Sequence, residues 1–185
     1  LYETDRDEPT IRFAQRPALM QSVHNSLTAD DVKAEAFDAI YFAGGHGTMW
    51  DFPKATKLQK LAATIYEQGG IVAAVCHGPA IFDGLNVSNG TPLIRGKKVA
   101  AFTNEEERAT KLDDVVPFLL QTRLENLGAQ VLPADKWQAQ VVIDERVITG
   151  QNPASAEGVA TKLVEALQAQ VNPLAAAEEI RAVAR

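Results

Sequence analysis

The sequence predicts one α/β domain built on a mainly parallel sheet. Three observations predict it. Short apolar, β-branched runs alternate along the chain with runs of helical spacing. Two of those strands end at glycine-rich corners, Gly44-Gly-His-Gly47 and Cys76-His-Gly-Pro79. The 185 residues, 46% of them apolar, suffice for a single core. In parallel sheets ligands sit beyond the carboxyl ends of the strands, where both corners fall.

The elements follow in order. Residues 1–30 are polar and read as an irregular lead-in, with His24 a solvated loop histidine. Residues 29–36 allow a helical turn. Phe37 to Ala43 reads as a strand, broken by the first glycine corner. Leu58, Leu61, Ala62 and Ile65 carry helical spacing, and Gly69-Gly70 ends that helix. Ile71-Val-Ala-Ala-Val75 is a buried strand, and Pro79 opens a helix after it. Lys98 to Phe102 is the next strand. Thr103-Asn104 caps a helix whose first turn holds Glu105, Glu106 and Glu107. Val115 to Leu127 reads as a second amphipathic helix. Val141 to Thr149 is a hairpin turning near Asp144-Glu145, with Trp137 against the sheet edge. A helix from Ala154 to Ala169 enters through Pro153, and a last helix runs over residues 173–185.

Composition narrows the function. A net charge of −6 and the lack of a basic stripe argue against nucleic acid as partner. No apolar run approaches the roughly 18 residues of a membrane span. A lone cysteine makes no internal disulfide, which fits a reducing, cytoplasmic setting.

That cysteine is the candidate nucleophile. Cys76 sits at a strand-to-helix corner, where helix dipole and free N–H groups are expected to lower a thiol's pKa. Attack on an aldehyde or acyl carbon creates an oxyanion. Gly44-Gly-His-Gly47 and the amide of His77 are the natural donors. His77 can move protons near neutral pH, and Glu105, Glu106 or Glu107 can orient its ring. His46 lacks partners at metal-ligand spacing, so no metal is expected. Trp50 and Phe52 can wall a small pocket.

Four motifs then carry a resemblance: Tyr41-Phe-Ala-Gly-Gly-His-Gly-Thr-Met-Trp-Asp-Phe-Pro53, Ala74-Val-Cys-His-Gly-Pro-Ala-Ile-Phe-Asp-Gly-Leu85, Phe102-Thr-Asn-Glu-Glu-Glu107 and Thr149-Gly-Gln-Asn-Pro-Ala-Ser155. In this order they resemble the ThiJ/PfpI superfamily over roughly residues 30–170, closest to the glutathione-independent glyoxalase III and heat-shock chaperone-like branch. The resemblance implies a flavodoxin-like three-layer sandwich over 1–185, a homodimer, and a site without metal or organic cofactor. It implies Cys76 as nucleophile, His77 as its proton partner, Glu107 as third member, and the amides of Gly45 and His77 as an oxyanion hole. Gly44, His46 and Trp50 complete the expected substrate contacts. Family members begin with a further strand and helix carrying a glutamate beside the nucleophile. Leu1 falls after that unit and nothing in 1–30 matches the glutamate, so an incomplete N-terminus is expected.

The expected activity is conversion of methylglyoxal, a small α-oxoaldehyde, to lactate through a Cys76 hemithioacetal, in carbonyl-stress defence. A cysteine amidase or peptidase of the PfpI type, a stress holdase chaperone and a thiol redox sensor remain the alternatives.

Overall fold

The computed structural model describes residues 8–171, so the last expected helix, 173–185, lies outside the described residues. The chain divides into two compact units, 1–32 and 33–185. The first holds helices α1 (Glu8–Ala14) and α2 (Pro17–His24), where an irregular lead-in was expected. Pro17 supplies the fixed φ of a first helical turn. No side chain of α2 is buried, and His24, expected in a loop, is its exposed last residue.

The second unit is built on a four-stranded sheet. Its strands are β1 (Ala39–Phe42), β2 (Ile71–Val75), β5 (Val141–Asp144) and β6 (Val147–Gly150), in the order β1-β2-β6-β5. The first three are parallel, and β5 returns antiparallel beside β6 as the expected hairpin. All five residues of β2 are buried. A strand flanked on both sides needs an unbroken apolar run, and Ile71 to Val75 provides one. The register pairs Phe42 with Ala74 and Val75 with Gly150. Three strands thus end level, and their following loops leave the same edge.

Helix α3 (Thr48–Asp51) follows the first glycine corner, and α4 (Thr56–Glu67) packs on β1 and β2. Helix α7 (Ala156–Val171) packs on β2 and β6, entered through a 3-10 turn at Pro153–Ser155. Beyond α4 the chain turns at Gly69, whose φ is +103°. Arg146 reaches across to donate to the Tyr66 and Gly70 carbonyls, closing that helix end.

Strand β3 (Lys98–Val99) pairs in parallel with β4 (Gln130–Val131) and is shorter than expected. The Ala100 amide donates instead to Thr149 Oγ1 at 2.8 Å, and the Phe102 amide to the Cys76 carbonyl at 3.0 Å. The lost ladder ties this segment to the end of β2. It also delivers α5 (Asn104–Thr110) beside the cysteine corner. The amphipathic run from Val115 becomes helical only at α6 (Leu120–Asn126). Pro117 lacks an N–H and pushes its predecessor toward extended backbone, so the helix starts after it. Among the described residues no helix is long and apolar enough to cross a membrane.

Candidate active site

The corner after β2 is strained. Cys76 has φ +61°, a left-handed conformation that costs a non-glycine residue about 1–3 kcal/mol. Two backbone bonds pin it: its amide donates to the Gly150 carbonyl at 2.9 Å, and its carbonyl accepts from the Phe102 amide. The first glycine corner presses against it. A Cβ on Gly44 would lie 2.7 Å from Cys76 Cβ and 2.8 Å from the Val75 carbonyl. A Cβ on Gly78 would lie 2.4 Å from the Phe42 carbonyl. Only glycine allows β1 and β2 to end so close together.

The segment after the corner differs from expectation. Gly78–Phe82 is a five-residue 3-10 turn, wholly buried, and not an α-helix. Its dipole is short, and burial dominates the electrostatics. Desolvation pushes the Cys76 thiol up to about 11, against the downward shift expected from a helix N-terminus. The amides of Gly45 and His77, both bonded to the sulfur, offset part of that rise, and Glu106 and Glu107 add to it. Cys76 therefore rests as a neutral thiol.

His77 is fully buried. Its Nδ1 lies 3.3 Å from Cys76 Sγ and its Nε2 2.7 Å from Glu107 Oε2. Phe102 stacks on the ring at 4.3 Å and His46 at 4.1 Å. Burial lowers the imidazole's pKa below 6.5, the Glu107 hydrogen bond opposes this, and His46 adds to the lowering. A carboxylate only accepts, so the ring proton sits on Nε2 and Nδ1 presents a lone pair to the thiol.

The three consecutive glutamates diverge because each helical step turns about 100°. Glu105 points outward, 3.4 Å from Lys136. Glu106 is buried and closes a capping box with Thr103. Glu107, 2% exposed, faces the imidazole. The structure thus brings Cys76, His77 and Glu107 together. His46 joins them through its ring, with Nε2 2.8 Å from Glu107 Oε1. Trp50 stands on α3, 41% exposed. Phe52, half-buried, packs edge-on against Phe42 at the border of the core. Trp137, expected at the sheet edge, lies 5.9 Å from the Phe102 ring instead. Its own φ is +66°.

Two features escaped the sequence. Tyr41 lies in the electrostatic field of Cys76, and burial foremost raises its hydroxyl's pKa. A polar-tipped aromatic just before the glycine corner was the available signal. The second is a buried hub on Glu106. Its Oε1 accepts from the Trp137 amide, Gln151 Nε2 and Asn152 Nδ2, and its Oε2 from the Thr103 amide and hydroxyl. The Gln151-Asn152 part of the fourth motif builds that hub. The donor atoms of His46, His77 and Glu107 lie within 4.8 Å of one another, a set a divalent cation can use. Here both Nε2 protons are engaged by the carboxylate oxygens, which makes it a hydrogen-bonded chain.

Glutathione-independent glyoxalase HSP31 of Saccharomyces cerevisiae is 41% identical over 147 residues, which are 76% of this chain and 62% of that protein. The chain spans about three fifths of the length of the curated relatives it matches. The X-ray structure of Rapid Encystment Protein 24 KDa of Francisella tularensis superposes with a TM-score of 0.83 at 39% identity, covering 87% of this chain and 72% of that one. Glyoxalase III from Candida albicans superposes at 0.80 with 34% identity, covering 85% and 70%. These likenesses establish a flavodoxin-like α/β fold. A model of the DJ-1/PfpI family matches residues 19–166, and the chain belongs to that family.

Proposed function

We propose that the protein converts methylglyoxal to lactate without glutathione, with Cys76 as nucleophile. The observation that carries this reading is the chain Cys76 Sγ, His77 and Glu107, in which a neutral thiol faces the free Nδ1 of a neutral imidazole. Relatives bearing the name glutathione-independent glyoxalase support the substrate class.

His77 takes the thiol proton at Nδ1 as sulfur adds to the aldehyde carbon. The new oxyanion forms where the Gly45 and His77 amides already meet the sulfur, and His77 gives it the thiol's proton from Nδ1, leaving a hemithioacetal and a neutral imidazole. His77 then removes the proton from that carbon, giving an enediol, and a proton returns to the neighbouring carbon. The product is a lactoyl thioester on Cys76. Water attacks the thioester carbonyl, lactate leaves, and sulfur regains its proton. The aldehyde carbon is oxidised and the ketone carbon reduced, so electrons balance within the substrate. Buried Glu107 holds the Nε2 proton throughout and stabilises the transient imidazolium.

The test incubates wild type and Cys76→Ala with methylglyoxal, without glutathione, and measures lactate. Lactate from wild type alone is expected. A folded wild type that forms none overturns the reading.

A further inference from the structure

Glu107 is a shared acceptor. Oε2 takes the His77 Nε2 proton at 2.7 Å, while Oε1 takes the His46 Nε2 proton at 2.8 Å. Three separate segments meet there: His46 from the corner after β1, His77 from the turn after β2, and Glu107 from α5. The two imidazoles lie 4.1 Å apart, His77 enclosed and the His46 side chain 34% exposed. We propose that His46 is a positioning residue that, through Glu107, keeps His77 in the tautomer presenting Nδ1 to Cys76.

The argument is one of acceptor occupancy. Without His46, Oε1 keeps only the 3.3 Å contact from Thr110 Oγ1. A buried carboxylate oxygen left without its donor turns toward another one. That turn draws Oε2 off His77 Nε2, and the ring proton is then free to sit on Nδ1, against the sulfur. The base is then lost, although every residue of the Cys76–His77–Glu107 chain remains. The titratable groups around this carboxylate are His46 and His77 from the two corners and Glu106 from its own helix, with Cys76 behind His77.

The inference rests on the thiol–imidazole pairing proposed above, so its test avoids the substrate. Alkylation of Cys76 by iodoacetamide is followed near neutral pH in wild type, His46→Phe and His46→Gln. Phe keeps a ring on His77 without a donor, and Gln keeps an N–H without a titrating ring. His46→Phe is expected to slow alkylation about tenfold near neutrality, because the His77 base is lost. His46→Gln is expected to follow wild type. Nitrogen-15 spectra of the His77 ring read the tautomer directly and should show the proton on Nδ1 in the Phe variant alone. An unchanged alkylation rate with an unchanged tautomer in His46→Phe overturns the proposal. So does a Gln variant that loses wild-type behaviour, which decides the matter if the Phe variant does not fold. Slowed alkylation in His46→Phe with no lactate from wild type leaves this inference standing and removes the glyoxalase reading. Lactate from wild type with neither the slowing nor the tautomer change does the reverse.

Discussion

Glu106→Gln cuts the buried hub at its centre while adding almost no volume. The carboxylate accepts five hydrogen bonds from neutral donors, three on Oε1 and two on Oε2. A glutamine replaces one acceptor oxygen with a donor. Its best orientation turns the NH2 toward Thr103, whose hydroxyl can accept but whose amide then faces another donor. One buried N–H left unpaired costs about 1–3 kcal/mol. The three remaining bonds weaken from charge-assisted to neutral, offset in part because no charge is buried any longer. The sum is about 2–4 kcal/mol, or about 5–15 °C of melting temperature for a chain of this size. Thermal unfolding of wild type and variant across pH is the assay. The acid dependence has a definite sign. Burial alone would raise the Glu106 carboxyl, yet the Asn152, Thr103, Trp137 and Gln151 donors outweigh it and hold the group below 4.5. Its contribution is therefore present above that pH and lost as pH falls through the folded value, so the gap between the proteins must narrow in acid. Melting within about 2 °C of wild type at pH 7, or a gap that ignores pH, refutes the reasoning.

Further outcomes are expected. Gly44→Ala places a methyl 2.7 Å from Cys76 Cβ and 2.8 Å from the Val75 carbonyl, so it should cost about 1–3 kcal/mol in a denaturant melt and most of the Cys76 alkylation rate. The ultraviolet thiolate band of Cys76, read against Cys76→Ala, should be absent at neutral pH and rise only toward about 11; a thiolate at pH 7 contradicts the burial argument. His77 is buried with its pKa lowered chiefly by desolvation, so between the folded value and 6.5 the unfolded chain binds more protons. Stability should fall as pH drops below about 6.5, and His77→Gln should flatten that slope in calorimetry.

How much of this was legible follows from where each signal resides. The strand Ile71 to Val75 was readable because a doubly flanked strand needs an unbroken apolar run. The glycine corners were readable because Gly44 and Gly78 leave no room for a Cβ and Gly45 takes a φ of +110°. The glutamates were not. Glu105, Glu106 and Glu107 are chemically identical letters, and only the helix phase set by the Thr103 cap separates an exposed ion pair, a buried hub and an imidazole partner. The turn after Cys76 misled for a related reason. Pro79 marks a helical first turn equally well for a 3-10 segment and an α-helix, and the tight packing of Gly78 on the Phe42 carbonyl is a tertiary fact. The first helices escaped because a polar stretch with little apolar periodicity gives no face to detect, and α2 indeed buries none.

The thiol's pKa then becomes a statement about mechanism. A helix dipole acting on an exposed sulfur would leave a standing thiolate, open to any electrophile. Burial does the opposite here, and it also disfavours a charged His77, so neither member of the pair is ionised at rest. Charge separation between them becomes favourable only when something stabilises both ends at once. Glu107 waits at the imidazole end, 2.7 Å from Nε2. At the other end, the Gly45 and His77 amides meet the sulfur, where the oxygen of a carbonyl under attack would take up the developing charge. The strained φ of Cys76 is what lets one residue face both, because a relaxed strand end would turn Sγ from the corner after β1 or from the His77 ring. On the proposed reading, reaction with a carbonyl draws on both ends of the pair, and the backbone corner brings them to one place.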